Sequence, residues 1–493
     1  MKRILSIILL VLAMMLASIS TLSNAEIILQ NREPENKGLE TRELYSQIRI
    51  RGHPGITPSP EAIQMYRIQG SRPPRVADWP APVPKSPVTG TRNILVIRID
   101  FSDCVGTQSQ SYFNNLVFGS SQGQMKHYYT EVSYGQLNIV GVVTATWYRS
   151  AHTMVYWGSD SASGIDDQNG AVFELAREAV VLADTEVDFH GYDLAGDDDD
   201  VLDPEELSIC IIHAGNGQES SYVLTDIWSH RWYIFGQGYD YLGTPLSDTI
   251  VDSVRVSKHP DDYAGGYFMQ AETSPMGTFA HEFGHDLGLP DLYDTDYSSE
   301  GLGVWCLMSG GSWLGSPAGT SPAHPTAWCK YKLGWITPTR IAAPTIQATV
   351  NMIETSTTQS LYILPITTGS DIEYFLIENR QKFEYDQFLP GSGVLIWHVD
   401  ERQWMTQNDD ENHKLVDLEE ADGLNHLDLK SNSGDAADPW YNNAAGFTDT
   451  SNPGSDGYGG ASTWIEVKNI SPSSATMTVG FKATRGWSQI AYD

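Results

Sequence analysis

One run of residues constrains this chain more than any other: His281-Glu282-Phe283-Gly284-His285-Asp286-Leu287-Gly288-Leu289-Pro290-Asp291. Two histidines four apart share a face only if the backbone between them is helical, so the run predicts a helix. On that face two imidazoles can hold one metal ion. Glu282, beside the first histidine, can reach a water on the ion as general base without being a ligand. Gly288 predicts a left-handed residue that ends the helix and turns the chain back. Pro290 stiffens the turn, and Asp291 arrives where a third ligand is needed, with Asp294 as the alternative. Further on, Met308 lies in Trp305-Cys306-Leu307-Met308-Ser309-Gly310-Gly311. A methionine in such a tight turn can form an apolar floor beneath the ligands.

These parts define a chemistry. An ion with three protein ligands keeps an open position for water and polarises a carbonyl. Glu282 then moves the proton from water to the leaving amine, and no serine, cysteine or threonine nucleophile is needed. Gly119-Ser120-Ser121-Gln122-Gly123 matches a hydrolase elbow by letters alone, because the polar, helical residues before Ser121 are not a buried strand. His213, His230 and Tyr293 are candidate oxyanion donors, and an ordinary structural hydrogen bond is the stronger expectation for each.

The rest of the chain supplies a frame. A run rich in β-branched residues at 93–101, a continuous apolar run at 207–212 and a run at 137–148 predict strands, and 124–134 and 170–184 predict helices. Strands alternating with helices imply an α/β layer with a mostly parallel sheet. Beyond residue 340, short β-rich runs at 346–353, 360–365, 373–379, 393–399 and 462–482 predict a separate β-sandwich-like domain. Lys2 and Arg3, an apolar run from Ile4 and the small residues before Glu26 predict a signal peptide over 1–25. Prolines crowd 51–90, and basic residues outnumber acidic ones between 26 and 92. That stretch reads as a propeptide and linker able to lie over an acidic cleft. The net charge of −32 over 493 residues argues against nucleic-acid binding. No second run is long enough to anchor in a membrane. The expected protein is therefore exported, extracellular or periplasmic, and a monomer. Export permits disulfides; the expected pairs are Cys306–Cys329 and Cys104–Cys210, with four buried thiols as the alternative.

Calcium is a further expectation. Asp197, Asp199 and Asp203 fall in the dense loop 196–205, where oxygen ligands suit that ion. Asp400, Asp409, Asp410, Asp417, Asp422, Asp428, Asp435 and Asp438 are scattered and read as solvated loops.

The pattern HExxHxxGxx followed by Met308 resembles the metzincin signature, with Asp291 where those proteins carry a third histidine. Its continuation Pro290-Asp291-Leu292-Tyr293-Asp294 resembles the immune inhibitor A family of secreted bacterial metallopeptidases. Asn93–Asp103, Ser133-Tyr134-Gly135, His213–Gly217, Asp226–His230, Gly334-Trp335, Glu378-Asn379-Arg380 and Leu389-Pro390-Gly391 fit the same family. The resemblance implies a precursor with a metzincin-like zinc protease domain over 91–340 and a β-rich domain over 341–493. It implies protein or peptide substrates, His281, His285 and Asp291 as zinc ligands, Glu282 as base and Met308 as the Met-turn residue. A competing reading is an exported calcium-binding or adhesion protein with an inactive protease-like domain. The intact motif counts against it.

Overall fold

The computed structural model describes residues 56–59 and 87–483, except 162–163, 242, 342–344, 367–371 and 405–406. The expected signal peptide and most of the expected propeptide lie outside the described residues.

The elements that frame the site are, in chain order, β1 (Gly90–Asp100), α1 (Gln110–Phe118), α2 (Met125–Val132), β2 (Leu137–Arg149), α3 (Val172–Ala183), β3 (Ser208–His213), β4 (His230–Tyr233), β5 (Gly266–Ala271), α4 (Met276–Asp286) and α5 (Ala327–Lys332). Five strands form one sheet in the order β2-β1-β3-β5-β4. β1 runs parallel to β2 and β3, and β3 parallel to β5. The sheet is mixed rather than purely parallel, because β4 closes one edge antiparallel to β5.

β1 shows why apolar residues follow one another from Ile94 to Ile97. Successive side chains point to opposite faces, and both faces are covered. Ile94 and Val96 join the core built on Tyr128, Tyr129, Phe279 and Phe283. Leu95, Ile97 and Ile99 join the opposite core with Phe173, Ala176 and Val180 of α3. α2 then fastens α4: the Tyr129 hydroxyl donates to Ala280 O at 2.6 Å.

The later strands are β6 (Thr339–Arg340), β7 (Ile346–Asn351), β8 (Leu361–Pro365), β9 (Glu373–Arg380), β10 (Gly393–Asp400), β11 (Val416–Leu418), β12 (Glu466–Lys468) and β13 (Thr476–Lys482). They form a five-stranded sheet, β6-β8-β9-β10-β11, and a three-stranded sheet, β7-β13-β12. Phe375, Ile377, Val394 and Ile396 face the smaller sheet through Val350, Val467, Met477 and Val479. Tyr374, Leu376, Leu395 and Trp397 point the other way, into the core that contains Phe279, Phe283 and Trp335. One apolar core therefore runs from the helix α4 across residue 340 into the second half.

The expected disulfides are corrected here: all four cysteines are free thiols. Cys306 and Cys329 are buried in one core, where Cys306 Sγ accepts from Met308 N–H and Cys329 Sγ from the Thr326 hydroxyl, each at 3.3 Å. Cys210 lies in the core on the α4 face of the sheet, whereas Cys104 packs against the core on the α3 face. The sheet separates that second pair. Among the described residues, no helix is long and apolar enough to cross a membrane.

Candidate metal centre

α4 is buried along its whole length. Two glycines let it sit that deep: a Cβ on Gly277 would come 2.0 Å from Ser312 O, and one on Gly284 would come 2.6 Å from the Met308 sulfur. The helix ends as the sequence predicts. Leu287 still donates to Phe283 O, Leu289 N–H reaches back to Gly284 O at 3.0 Å, and Gly288 takes φ +97°. This left-handed turn sends Pro290 and Asp291 back under the helix.

The reversal does two further things. It places Leu289 O 2.8 Å from His285 Nδ1, while Leu307 O lies 2.9 Å from His281 Nδ1. A carbonyl can only accept, so each ring carries its proton on Nδ1 when neutral. Each then turns an Nε2 lone pair inward. The residues around Met308 also hold the third group, because Leu292 N–H donates to Met308 O at 2.8 Å.

His281 Nε2 and His285 Nε2 are 3.2 Å apart, and each is 3.2 Å from Asp291 Oδ1. All three residues are buried. Two lone pairs and a carboxylate oxygen thus converge on one point, and a tetrahedral centre over a triangle of that size sits about 2.0 Å from each atom, the zinc–nitrogen range. Asp291 Oδ1 has no hydrogen-bond donor. The electrostatics favour positive charge here. Burial alone would lower His285, but Asp291 holds it up at about 9. Burial likewise opposes ionisation of Asp291, yet His285 and His281 hold it down at about 2. The donor set fits a divalent ion of zinc type.

Glu282 lies outside that triangle. It is fully buried, and neither carboxylate oxygen has a hydrogen-bond donor. Burial pushes its pKa well up; His285 opposes the rise, and Asp291 and Glu219 add to it. Asp294, the alternative ligand, is turned away: it accepts from Ser298 Oγ and from Ser299 N–H.

The candidate oxyanion donors separate cleanly. His230 is occupied between Trp228 O and the Tyr267 hydroxyl. His213 pairs its Nδ1 with Ala214 O, and burial lowers it to about 4. The neutral ring has no N–H on Nε2 to give. Tyr293 remains, with its ring 6.5 Å from that of His281 and its phenol feeling both Asp291 and Glu282.

Of the stretch expected to lie over an acidic cleft, the structure describes Ile56–Ser59 near the site. Ile56 N–H donates to Ser229 O at 3.3 Å, and Ser59 N–H to Glu219 O at 2.7 Å. The indoles of Trp228 and Trp313 donate to Ile56 O and Thr57 O at 2.8 and 2.9 Å. Ser229 immediately precedes the edge strand β4, and Trp313 follows the Met308 turn. The four residues are buried.

In the acidic loop the structure gathers Asp197 and Asp199 with Asp193, and leaves Asp203 outside that group. Asp193 was not foreseen; it is fully buried with Oδ2 lacking a donor.

The chain is similar to known proteins. Residues 90–336 match the profile of the immune inhibitor A peptidase M6 catalytic domain. The chain is 37% identical over 225 residues to immune inhibitor A of Bacillus thuringiensis subsp. alesti, covering 41% of this chain and 31% of that protein. It is 29% identical over 285 residues to the pre-pro-metalloprotease PrtV of Vibrio cholerae serotype O1 (strain M66-2), covering 49% of this chain and 29% of that protein. The match thus spans less than a third of the length of either relative.

Proposed function

The chain belongs to the immune inhibitor A peptidase family, and from that premise we propose that it is a secreted zinc-dependent endopeptidase. The observation that carries the reading is the convergence of His281 Nε2, His285 Nε2 and Asp291 Oδ1 at 3.2 Å from one another, with Glu282 beside them. We read the first half as metzincin-like and the second as a β-sandwich.

His281, His285 and Asp291 would hold the ion, which when bound supplies Lewis acidity and makes water a nucleophile near neutral pH. Asp291 adds the negative charge that two imidazoles lack. Leu307 O and Leu289 O keep both rings in the tautomer that leaves Nε2 free. Glu282 takes a proton at its carboxylate and returns it to the leaving amine. Its burial without donors keeps it basic enough for both steps. The Tyr293 hydroxyl is the proposed donor to the carbonyl oxygen as it gains charge.

The groups that grip Ile56–Ser59 suit a peptide backbone. Ser229 O and Glu219 O accept amides, and Trp228 and Trp313 donate to carbonyls. We read the segment as propeptide lying where substrate lies, and its removal as activation.

The test pairs metal analysis with hydrolysis. Processed protein is expected to hold close to one zinc per chain and to cleave casein. A chelator should stop cleavage and zinc restore it. Cleavage by metal-free protein, or none by processed zinc-loaded protein, overturns the reading.

A further inference from the structure

Acidic residues scattered along the second half meet in the fold. Asp422, Asp435 and Asp438 bring one oxygen each within 4.8 Å of one another, and Glu420, Asp422 and His426 form an overlapping group. Four carboxylates and one imidazole thus form one cluster. Most of their oxygens are already used to shape the loop. Glu420 accepts from the amides of His426 and Leu427 at 2.7 and 2.9 Å. Asp422 Oδ1 accepts from Leu424 N–H. Asp435 accepts from Ala437 N–H and from the Asn432 side chain. Asp438 Oδ2 accepts from the Trp305 indole at 2.8 Å and from Asp435 N–H at 2.9 Å.

Asp438 Oδ1 is different. Its side chain is fully buried, and this oxygen has no donor. Such an oxygen is costly unless something positive satisfies it. Among the described residues, the ion pairs of Asp422 and Asp435 are with His426 alone. One imidazole does not balance four carboxylates packed this closely.

We propose that this cluster is a calcium site, with Asp422, Asp435 and Asp438 as its carboxylate ligands. The donors are hard oxygens on an irregular loop, where calcium completes six to eight ligands with carbonyls and water. Zinc would want nitrogen or sulfur, and the His426 ring is already engaged with Asp435 Oδ2 at 3.2 Å.

The site has a structural consequence. The same loop holds the residues leading to Met308: Glu300 N–H donates to Leu427 O, Val304 N–H to Ser433 O, and the Trp305 indole to Asp438. Leu307, two residues past Trp305, supplies the carbonyl that orients His281. Calcium would stiffen the support of the metal centre from outside it.

The experiment uses full-length Glu282→Gln protein, so that self-cleavage is blocked, in calcium-free buffer with trace zinc. Calcium is added and the melting temperature is read. At a thousandfold excess over Kd, the expected rise is about 4 °C. Terbium is the second probe, since Trp305 beside Asp438 should sensitise its luminescence and calcium should quench it. Asp438→Asn and Asp422→Asn should each abolish both responses. Asp422 is partly exposed and Asn can still accept from Leu424, so that variant tests the site without burdening the fold. Asp199→Asn, in the other acidic loop, should retain both responses. The proposal is overturned if calcium has no effect on the parent, if both responses survive Asp422→Asn and Asp438→Asn, or if zinc and not calcium produces them.

Discussion

Replacing Glu282 by Gln keeps the outline of the side chain and removes its charge and basicity. The structure separates three consequences. The proposed ligand triangle is formed by His281, His285 and Asp291 without Glu282, so bound zinc should stay near one per chain. Proton transfer should fail, and loss of a general base typically costs about 10²- to 10⁴-fold, or roughly 3–5.5 kcal/mol in the barrier. Stability should not fall. Glu282 is fully buried, neither oxygen has a donor, and burial pushes its pKa well up. Its charge is therefore a burden on the folded state, which a neutral amide removes. The assay is kcat/KM on a quenched peptide with zinc content and melting temperature measured on the same sample. Activity within tenfold of the parent, with zinc bound, would refute the base. Loss of zinc together with activity would make Glu282 a ligand, contrary to the geometry.

Three further expectations follow from particular contacts. Gly288→Ala forces an L residue to φ +97°, at a cost of about 1–3 kcal/mol. It should shift Leu289 O off His285 and weaken zinc binding about 10- to 100-fold; parental zinc affinity in a competition titration would count against the turn's role. Trp313→Phe removes the donor to Thr57 O at about 1–3 kcal/mol. Unprocessed precursor should then hydrolyse peptide about tenfold faster, and an unchanged basal rate would argue against occupation of the groove. His398 is buried between Glu373 and Glu419, each at 3.3 Å. Burial lowers its pKa, but the two carboxylates outweigh it and hold it at about 9. A folded value above the unfolded one, near 6.5, stabilises below that lower value and is lost as pH rises through the higher one. Stability should fall by up to about 3 kcal/mol between pH 6.5 and 9.5, and His398→Gln should flatten the profile in urea titrations.

What the sequence disclosed was local. β1 and β3 announce themselves because both faces are buried, which demands consecutive apolar residues, Ile94 to Ile97 in β1 and Ile209 to Ile212 in β3. The helix α4 and its end are written in the spacing of His281, His285 and Gly288. β4 and β5 were missed. His230–Tyr233 carries His and Arg, and Gly266–Ala271 is six residues with Gly at its start and Gln270 inside. Only pairing with distant strands makes either extended. Within the site, the residue types pointed to the candidate ligands, but the groups that orient them are backbone carbonyls, Leu289 O and Leu307 O. Any residue type supplies a carbonyl, so no letter records them. Asp422, Asp435 and Asp438 read as scattered for a related reason: loop closure, and not sequence spacing, brings their oxygens together.

The second half therefore belongs to the chemistry of the first. The orientation of His281 depends on where Leu307 O sits. That position depends on residues 300–308, fastened by Leu427 O, Ser433 O and Asp438. Leu302, Trp305 and Trp328 also share their core with Leu395, Trp397 and Leu427. A chain ended at residue 340 would leave the amides of Glu300 and Val304 and the Trp305 indole without these acceptors. It would also open a large aromatic surface to water, at about 25 cal/mol for each Å² exposed. The family match ends at residue 336, but the physical unit that holds the candidate metal centre runs on through the loop that carries Asp438.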